Sequence, residues 1–261
     1  FDNWKRKNPK EVLDNNSFFM VGEVYNYEIS DGRTYDFGDK KVDYFDNGFK
    51  SLINFELKYD AQNDYETIFK KYNDLLHTKL KGKSVLNYLT SHDDGSPFDK
   101  ERKRPYYAAN VLLLTRGASQ IYYGDETSRS LIIEGTEGDA TLRSFMNWND
   151  IDSIQETKKI LKHWQKLGKF RANHPAIGAG KHQMLTKLPY VFERTYTNEE
   201  YKDKVVIGLN LPKGKKSLSV KGFFGDGTKL YDTYSETPLE VKNGKVILDN
   251  QFDIALIELV E

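Results

Sequence analysis

The chain has 261 residues, with 39 Lys plus Arg balanced by 39 Asp plus Glu, and no Cys. A net charge of zero argues against a dedicated nucleic-acid binder, whose surface would be basic. The absence of Cys excludes disulfides, thiol catalysis and zinc sites built on Cys. No run approaches the roughly 18 apolar residues of a membrane span, and the charged opening of residues 1–7 leads us to expect no signal peptide.

The first 170 residues alternate short apolar runs with helical patterns. A Lys-rich stretch over residues 4–13 predicts a helix. Four apolar runs predict strands that are buried on both faces, as in a parallel sheet: residues 17–22, 52–55, 84–90 and 119–123. The alternation of strand and helix therefore predicts a parallel α/β architecture.

Three helix starts can be read between these runs. Asn63, with Glu66 three residues later, predicts one N-terminus, and Pro105 fits the first turn of a second helix through residue 114. Ser153 and Glu156 predict a capping box for a third helix. The apolar face of that helix is expected to carry Ile160, Leu161, Trp164 and Leu167.

After Pro175 the pattern changes to short alternating runs, which predict antiparallel strands. These runs are residues 190–196, 205–209, 218–220, 239–241, 246–248 and 254–259. Asn243-Gly244 lies between two of them and is a strong hairpin signal. We therefore predict a domain over residues 1–175 and a small antiparallel β-sandwich over residues 176–261.

Two carboxylates follow predicted strands: Glu23 after the first strand and Asp93 after the third. In parallel barrels and open α/β sheets, catalytic residues lie at the carboxyl ends of strands. A Glu and an Asp brought to one rim from different strands would suit acid-assisted bond cleavage. The alternative for each carboxylate alone is a loop residue on the surface.

Other polar residues near these positions allow two interpretations each. His92 suits a general base or a donor to a ligand, but a lone His is more often structural, and no His spacing fits a metal site. Asp139 and Arg143 would form a surface ion pair on a helix, or would bind sugar hydroxyls from a loop. Tyr25 and the pairs 106–107 and 122–123 suit sugar-stacking platforms or ordinary core packing.

Four segments in this order resemble the alpha-amylase family of glycoside hydrolases. The segments are residues 18–25 (FFMVGEVY), 88–94 (YLTSHDD), 120–126 (QIYYGDE) and 139–148 (DATLRSFMNW). They resemble the fifth-strand acid motif, the seventh-strand motif, the eighth strand and the substrate-binding stretch after it. The resemblance implies the second half of a TIM (β/α)8 barrel followed by a β-sandwich domain. It favours the starch-degrading amylases of Bacteroidetes cell surfaces.

The resemblance implies a role for each candidate residue. Glu23 would be the general acid and base, and Asp93 would stabilise the transition state. His92 would hydrogen-bond the sugar that is cleaved, Asp139 and Arg143 would hold a neighbouring glucose, and Tyr25 would also contact substrate. The family is retaining, so a further carboxylate acts as nucleophile.

That nucleophile belongs to the fourth barrel strand, in a segment before the acid. Only 22 residues precede Glu23, and Asp2 and Asp14 lie in the predicted helical opening. Asp31 follows the acid in a loop. We therefore expect a fragment that lacks the nucleophile and is inactive alone. The resemblance implies no cofactor or metal in this chain, and it assigns any calcium to the full-length parent.

The expected partners are an α-glucan or malto-oligosaccharide, and no nucleic acid. Open barrel edges would also bind the missing N-terminal half or a second copy of this chain. The resemblance implies an extracellular, cell-surface or periplasmic location. Two alternatives are a non-catalytic amylase-fold scaffold, which would not need Glu23, His92 and Asp93 together, and a carbohydrate-binding module formed by the sandwich.

Overall fold

The computed structural model of the chain describes residues 1–260 and divides into a helix-rich part and a strand-rich part. The helices are α1 (Asp2–Lys7), α2 (Leu57–Asp60), α3 (Tyr65–His77), α4 (Pro105–Leu114), α5 (Trp148–Ser153), α6 (Gln155–Asn173) and α7 (Pro175–Ala179). The first strands are β1 (Val21–Gly22), β2 (Thr34–Asp36), β3 (Lys41–Asp43), β4 (Ser51–Asn54), β5 (Ser84–Asn87) and β6 (Ala118–Ser119). The later strands are β7 (Lys181–Thr186), β8 (Tyr190–Thr197), β9 (Lys202–Leu209), β10 (Gly214–Ser219), β11 (Lys229–Asp232), β12 (Thr237–Glu240), β13 (Lys245–Asn250) and β14 (Ile254–Leu259).

A four-stranded parallel sheet has the order β1-β4-β5-β6, so the strands follow one another across the sheet in the same order as along the chain. Strands β2 and β3 form a separate pair. The registers align Gly22 with Leu52, Leu52 with Val85, and Asn87 with Ser119. Each predicted strand has a counterpart, but β1 and β6 have only two residues each. The strand predicted over residues 119–123 is wrong beyond Ser119, because β6 ends there. Both are edge strands of this sheet and pair on one side only.

The two faces of this sheet are buried to different extents. Leu52 and Val85 point to one face and are fully buried in a core shared with α3, α4 and α6. The other face carries apolar side chains that are half-buried or exposed: Val21, Ile53, Leu86 and Ala118. We refer to these four residues as the open face.

Two of the predicted helix caps are wrong. Asp64, not Asn63, is the N-cap of α3, and its side chain accepts a hydrogen bond from the Thr67 backbone N–H. The capping box predicted for α6 does not form, because Ser153 lies in the last turn of α5 and its hydroxyl donates to the Asn149 carbonyl. The helix predicted over residues 4–13 is likewise shorter, since α1 ends at Lys7.

The strand-rich part packs a six-stranded sheet against a two-stranded one. The larger sheet is antiparallel with the order β12-β11-β14-β9-β8-β7, and the smaller pairs β10 with β13. A second core lies between the two sheets. Asn243 and Gly244 have positive φ and form the predicted turn. The flanking strands join different sheets, however, and only Lys242 and Lys245 pair across it.

Two arginines, the half-buried Arg171 and the buried Arg194, connect the C-terminus of α4 to the rest of the chain. Arg171 of α6 donates to the carbonyls of Leu113 and Thr115, at 2.8 and 3.0 Å. Arg194 of β8 is fully buried and donates to the Leu114 carbonyl at 3.1 Å. These bonds satisfy carbonyl oxygens that a helix end leaves without partners. We call this region, where α3, α4 and α6 meet the larger antiparallel sheet, the junction.

The junction also contains a buried histidine with a defined tautomer. Arg194 Nε donates to His182 Nδ1 at 3.1 Å, so His182 Nε2 carries the proton toward Glu66, 2.9 Å away. Burial lowers the pKa of His182 to about 4, which keeps the ring neutral near pH 7. The side chain is therefore a fixed hydrogen-bonding link between α3 and β8.

A second junction histidine has the opposite character. His174 lies between Asp203, at 2.9 Å from Nδ1, and Glu258, at 2.6 Å from Nε2. Burial alone would lower the pKa of His174, but hydrogen bonds to the two carboxylates outweigh it and raise the pKa. Because both ring nitrogens face acceptors, this geometry fits the charged imidazolium.

Candidate active site

The carboxyl ends of the four parallel strands meet at one edge of the sheet, which we call the rim. Glu23 follows β1 directly, and the last residue of that strand, Gly22, aligns with Leu52 of β4. Residues 88–94 follow β5, which is the neighbour of β4 in the same sheet. Both predicted carboxylates, Glu23 and Asp93, therefore leave the sheet at the same end, where barrel enzymes place their active sites.

A row of aromatic rings links the first of these loops to the second. Tyr25 is 71% exposed and meets the edge of Phe55 at a centroid distance of 5.6 Å. Phe55 in turn meets Tyr88 at 5.5 Å and a right angle. Such edge-to-face pairs are the favoured geometry for aromatic side chains. Tyr25 therefore presents an open ring at the rim on a base of buried neighbours.

The His92–Asp93 turn is exposed but ordered by its neighbours. His92 Nε2 lies 3.4 Å from Asp93 Oδ2, and the two side chains are 63% and 43% exposed. The buried Ser91 hydroxyl donates to Asp93 Oδ1 at 2.9 Å. The Ser91 hydroxyl thus orients one carboxylate oxygen of Asp93, while the His92 imidazole is available to a ligand.

Beside this turn lies a buried ion pair that the sequence analysis missed. Lys58 bonds to Asp94, and both side chains are largely buried. The Tyr88 hydroxyl donates to Asp94 at 2.6 Å. Burial would raise the pKa of Asp94, but the hydrogen bonds from Lys58 and Tyr88 outweigh it and lower the pKa. The Asp93-Asp94 doublet was the available sequence signal, whereas nothing marked Lys58.

Arg143 reaches the same turn from the segment that follows β6. Its Nε donates to the His92 backbone carbonyl at 2.9 Å. The residues on both sides of Arg143 are held by Arg129, whose guanidinium donates to the carbonyls of Leu142 and Ser144, each at 3.1 Å. Since Arg129 is only 1% exposed, it acts as an internal support for this segment.

Arg129 is itself fixed by the loop that begins at residue 120. Its Nε donates to the Tyr123 carbonyl at 2.9 Å, and its guanidinium lies 3.9 Å from the centre of the Tyr123 ring. Gly124 has φ +85°, and a Cβ there would lie 2.5 Å from Arg129 Nε. Arg102 donates to the Arg129 carbonyl at 2.8 Å and pairs with the buried Asp125 at 2.7 Å. No sequence pattern marked Arg102 or Arg129.

Two of the predicted site carboxylates have no partner. Among residues 1–260, the side chains of Glu23 and Asp139 make no hydrogen bond or ion pair. Asp139 lies in a 3-10 helix, Gly138–Leu142, so the predicted surface ion pair with Arg143 does not form. Carboxylates without protein partners are available as acceptors for hydroxyl groups.

Residues 1–260 lack two features, a cluster of metal-binding side chains and a membrane-spanning helix. No group of three or more His, Asp or Glu side chains in this range is arranged to hold a metal ion. None of the helices in the same range combines the length and apolar character that a membrane crossing requires.

Comparison with curated proteins finds two informative relatives, although no protein-family model matches. The chain is 37% identical over 207 residues to the periplasmic alpha-amylase of Escherichia coli K12, covering 78% of this chain and 28% of that protein. It is 26% identical over 281 residues to alpha-amylase SusG of Bacteroides thetaiotaomicron, covering 92% of this chain and 36% of that protein. The chain thus spans well under half the length of either relative.

The fold has counterparts among solved structures. The alpha-amylase of Geobacillus thermoleovorans, complexed with acarbose, superposes with a TM-score of 0.65 at 16% identity, over 94% of this chain and 54% of that one. This likeness confirms the predicted fold class, a partial (β/α)8 barrel followed by a β-domain. In sequence and fold, this chain therefore resembles the C-terminal part of the alpha-amylase family of glycoside hydrolases.

Proposed function

We propose that this chain is part of a retaining α-glucan hydrolase that acts on starch or malto-oligosaccharides. The observation that carries the proposal is that Glu23 and the His92–Asp93 turn leave the parallel sheet at one rim, where Arg143 bonds to the His92 carbonyl. The substrate class is supported by the two alpha-amylase relatives and by a similar fold solved with maltotriose.

In this proposal Glu23 first protonates the leaving glycosidic oxygen and then deprotonates the attacking water. Its carboxylate is free of protein partners, as a group that must bind the substrate oxygen requires. Asp93 stabilises the transition state through sugar hydroxyls. The hydrogen bond from Ser91 fixes the Asp93 carboxylate without occupying both oxygens.

The remaining rim residues would bind sugar rings around the cleavage point. His92 would donate to the sugar that is cleaved, and the exposed Tyr25 ring would stack on it. Asp139 and Arg143 would hold a neighbouring glucose, with the carboxylate as acceptor and the guanidinium as donor. These four residues contribute binding and orientation rather than proton transfer.

The nucleophile, in this proposal, comes from outside the chain. Asp14 accepts the Asn16 backbone N–H at 2.9 Å, and Asp31 accepts the Glu28 backbone N–H at 3.2 Å. Both carboxylates are therefore engaged in local turns away from the carboxyl ends of the strands. Without a positioned nucleophile, the two-step displacement cannot proceed, so we expect the chain alone to be inactive.

The open face and the two short edge strands suggest what completes the protein. Val21 is 42% exposed at one edge of the sheet, and Ile121 is 47% exposed just past the other. We propose that the N-terminal half of the same polypeptide, or a second copy of the chain, covers this surface. Light scattering should give a mass above 30.3 kDa for the isolated chain. A well-behaved monomer that cleaves α-glucans would contradict both the partner and the missing nucleophile.

Location and metal content are two further parts of the proposal. We propose a periplasmic or cell-surface location, in line with the periplasmic alpha-amylase that the chain resembles. Any calcium ion of the whole enzyme would bind segments outside this chain.

The decisive experiment is Glu23→Gln in the full-length polypeptide. The amide keeps the shape of the side chain but cannot transfer a proton. Hydrolysis of malto-oligosaccharides should fall by about 10²–10⁴-fold, while their affinity changes little. Steady-state kinetics and calorimetric titration measure the two quantities separately.

The matched control is Glu134→Gln, which alters an exposed glutamate without a protein partner and should leave the rate unchanged. Turnover by the Glu23→Gln protein close to that of the wild type would exclude Glu23 as the acid. Loss of affinity together with rate would favour a binding role over proton transfer.

A further inference from the structure

A second cleft lies on the outer side of the helices, away from the rim residues. It has a volume of about 540 Å³ and is formed by α4, α6 and three loops of the strand-rich part. None of the rim residues Glu23, His92, Asp93 or Arg143 lines it. The volume is within the range of small-molecule sites in proteins. We refer to it as the lateral cleft.

The lateral cleft contains a continuous row of four rings. Tyr106 and His163 are 5.1 Å apart between ring centres, His163 and Tyr234 are 5.6 Å apart, and Tyr234 and Phe252 are 5.1 Å apart. All three pairs have edge-to-face geometry. Phe252 ends the row and is 43% exposed, so part of its apolar surface is available to a ligand.

The polar groups below this row are fixed and neutral. The Tyr234 hydroxyl lies 2.8 Å from His163 Nδ1, and His163 Nε2 lies 3.1 Å from the Asn110 side-chain oxygen. Because that oxygen can only accept, Nε2 carries the proton and Nδ1 accepts from Tyr234. Burial lowers the pKa of His163 to about 4, so the ring stays uncharged near neutral pH.

Charged groups of both signs surround the mouth of the cleft. Within residues 1–260, Lys162 and Lys213 form no ion pair, and the Asp253 carboxylate has no side-chain partner. Glu156 adds a second carboxylate, which accepts from the Tyr106 hydroxyl at 2.8 Å and pairs with Lys159. A fourth lysine of the lining, Lys166, pairs with Glu236. An anion would gain from the ammonium groups but would be repelled by the carboxylates. A neutral polyhydroxylated ligand uses both, since each hydroxyl donates and accepts.

We propose that the lateral cleft is a second, non-catalytic carbohydrate site that binds a short stretch of an α-glucan chain. The apolar faces of the sugar rings would lie on Phe252 and Tyr106, and their hydroxyls would bond to the charged groups at the mouth. The identity of the glucan rests on the proposed function, whereas the preference for a neutral sugar rests on the lining of the cleft. A glucan held here would stay bound to the enzyme between cleavage events.

The two sites can be observed separately because each contains one of only five histidines. In the 261-residue chain, His163 reports on the lateral cleft and His92 on the rim. Titration with maltotriose, followed by the imidazole NMR signals, should shift His163 and His92 with separate affinities. Since His163 is neutral over the pH range used, its shift would reflect the ligand and not a change in protonation.

Phe252→Ala should weaken the response of His163 about tenfold and leave that of His92 unchanged, because an exposed part of one aromatic ring is lost to the ligand. Ile247→Ala is the matched control, since Ile247 is 50% exposed on the same domain and does not line the cleft. In the full-length polypeptide with Glu23→Gln, calorimetry should find two binding events, and Phe252→Ala should weaken only one of them, about tenfold.

The outcomes separate the two proposals. A shift of His92 alone would overturn the lateral-cleft site and leave the proposed function standing. A shift of His163 alone would support the cleft and contradict sugar binding at the rim. Inorganic phosphate is the second probe, and its displacement of maltotriose from His163 would show an anion site and overturn the assignment to a neutral sugar.

Discussion

Polar side chains of similar chemistry are exposed and unpaired at the rim but buried and hydrogen-bonded at the junction. At the rim, Glu23 and Asp139 have no protein partner, and His92 is 63% exposed at its side chain. At the junction, His182 and Arg194 are buried, and their polar atoms bond to other protein groups. A polar group that is saturated by protein partners contributes to stability, whereas an unsaturated one at an open edge is available to a ligand.

The largest effect on stability is expected from replacing a junction residue. Arg194→Met would leave the buried carbonyls of Leu114 and Ile177 without a donor. We expect the free energy of unfolding to fall by about 2–4 kcal/mol, because orphaned buried acceptors are costly. Urea denaturation measures the change. Arg143→Met at the exposed rim is the matched control and should change stability by less than about 0.5 kcal/mol. Equal effects would remove the distinction between the two regions.

The second prediction is that the stability of the chain falls at acid pH because of the buried junction residue His182. The pKa of His182 is lowered to about 4 in the folded chain, so the unfolded chain, with an ordinary value of 6.5, takes up the proton first. The stability that neutral His182 contributes is therefore fully present above pH 6.5 and is lost as the pH falls toward 4. The loss is on the order of 3 kcal/mol, at 1.4 kcal/mol per pKa unit.

His182→Gln, which cannot take up this proton, provides the comparison for the acid prediction. The stability difference between wild type and variant, followed by urea denaturation at each pH, should be constant above pH 7 and shrink below it. A difference that stays constant down to pH 4 would show that His182 is not the group responsible.

The smallest expected effect concerns the support beneath the rim. Gly124→Ala would place a Cβ against Arg129 at a φ of +85°, which should cost about 1–3 kcal/mol and displace the Arg143 segment. Gly38→Ala has the same kind of strain at φ +90° but nothing within 4 Å. Only Gly124→Ala should therefore weaken maltotriose binding in calorimetry. Equal affinities in the two variants would show that Arg129 does not position the rim.

The sequence predicted the elements whose signal is local. Pro105 marked the start of α4, and the apolar runs marked all four parallel strands, because both signals depend on neighbouring residues. The predicted cap at Asn63 was wrong because the adjacent Asp64 takes the N-cap position of α3. The predicted cap at Ser153 was wrong because that residue belongs to the last turn of α5. Strands β7 and β11 were missed, since Lys181–Thr186 and Lys229–Asp232 show little regular alternation.

In the candidate site, too, residues with a local sequence signal were predicted and residues that act through distant contacts were missed. Glu23, His92 and Asp93 lie directly in strand-end segments, so position along the chain indicated them. Arg129 and Lys58 act through contacts with residues 13 to 36 positions away, which no local pattern records. The residues proposed to contact substrate were thus easier to predict than those that support them.

The two arginines at the end of α4 also determine where this chain can be divided. Arg171 precedes α7 and Arg194 follows it, yet both bond to the same helix end. A chimera that exchanges the strand-rich part at residue 176 would remove Arg194 and leave the Leu114 carbonyl to an unrelated neighbour. The natural unit of exchange would therefore include α4, α6 and β8 together, and sequence boundaries between domains would be poor guides for recombination.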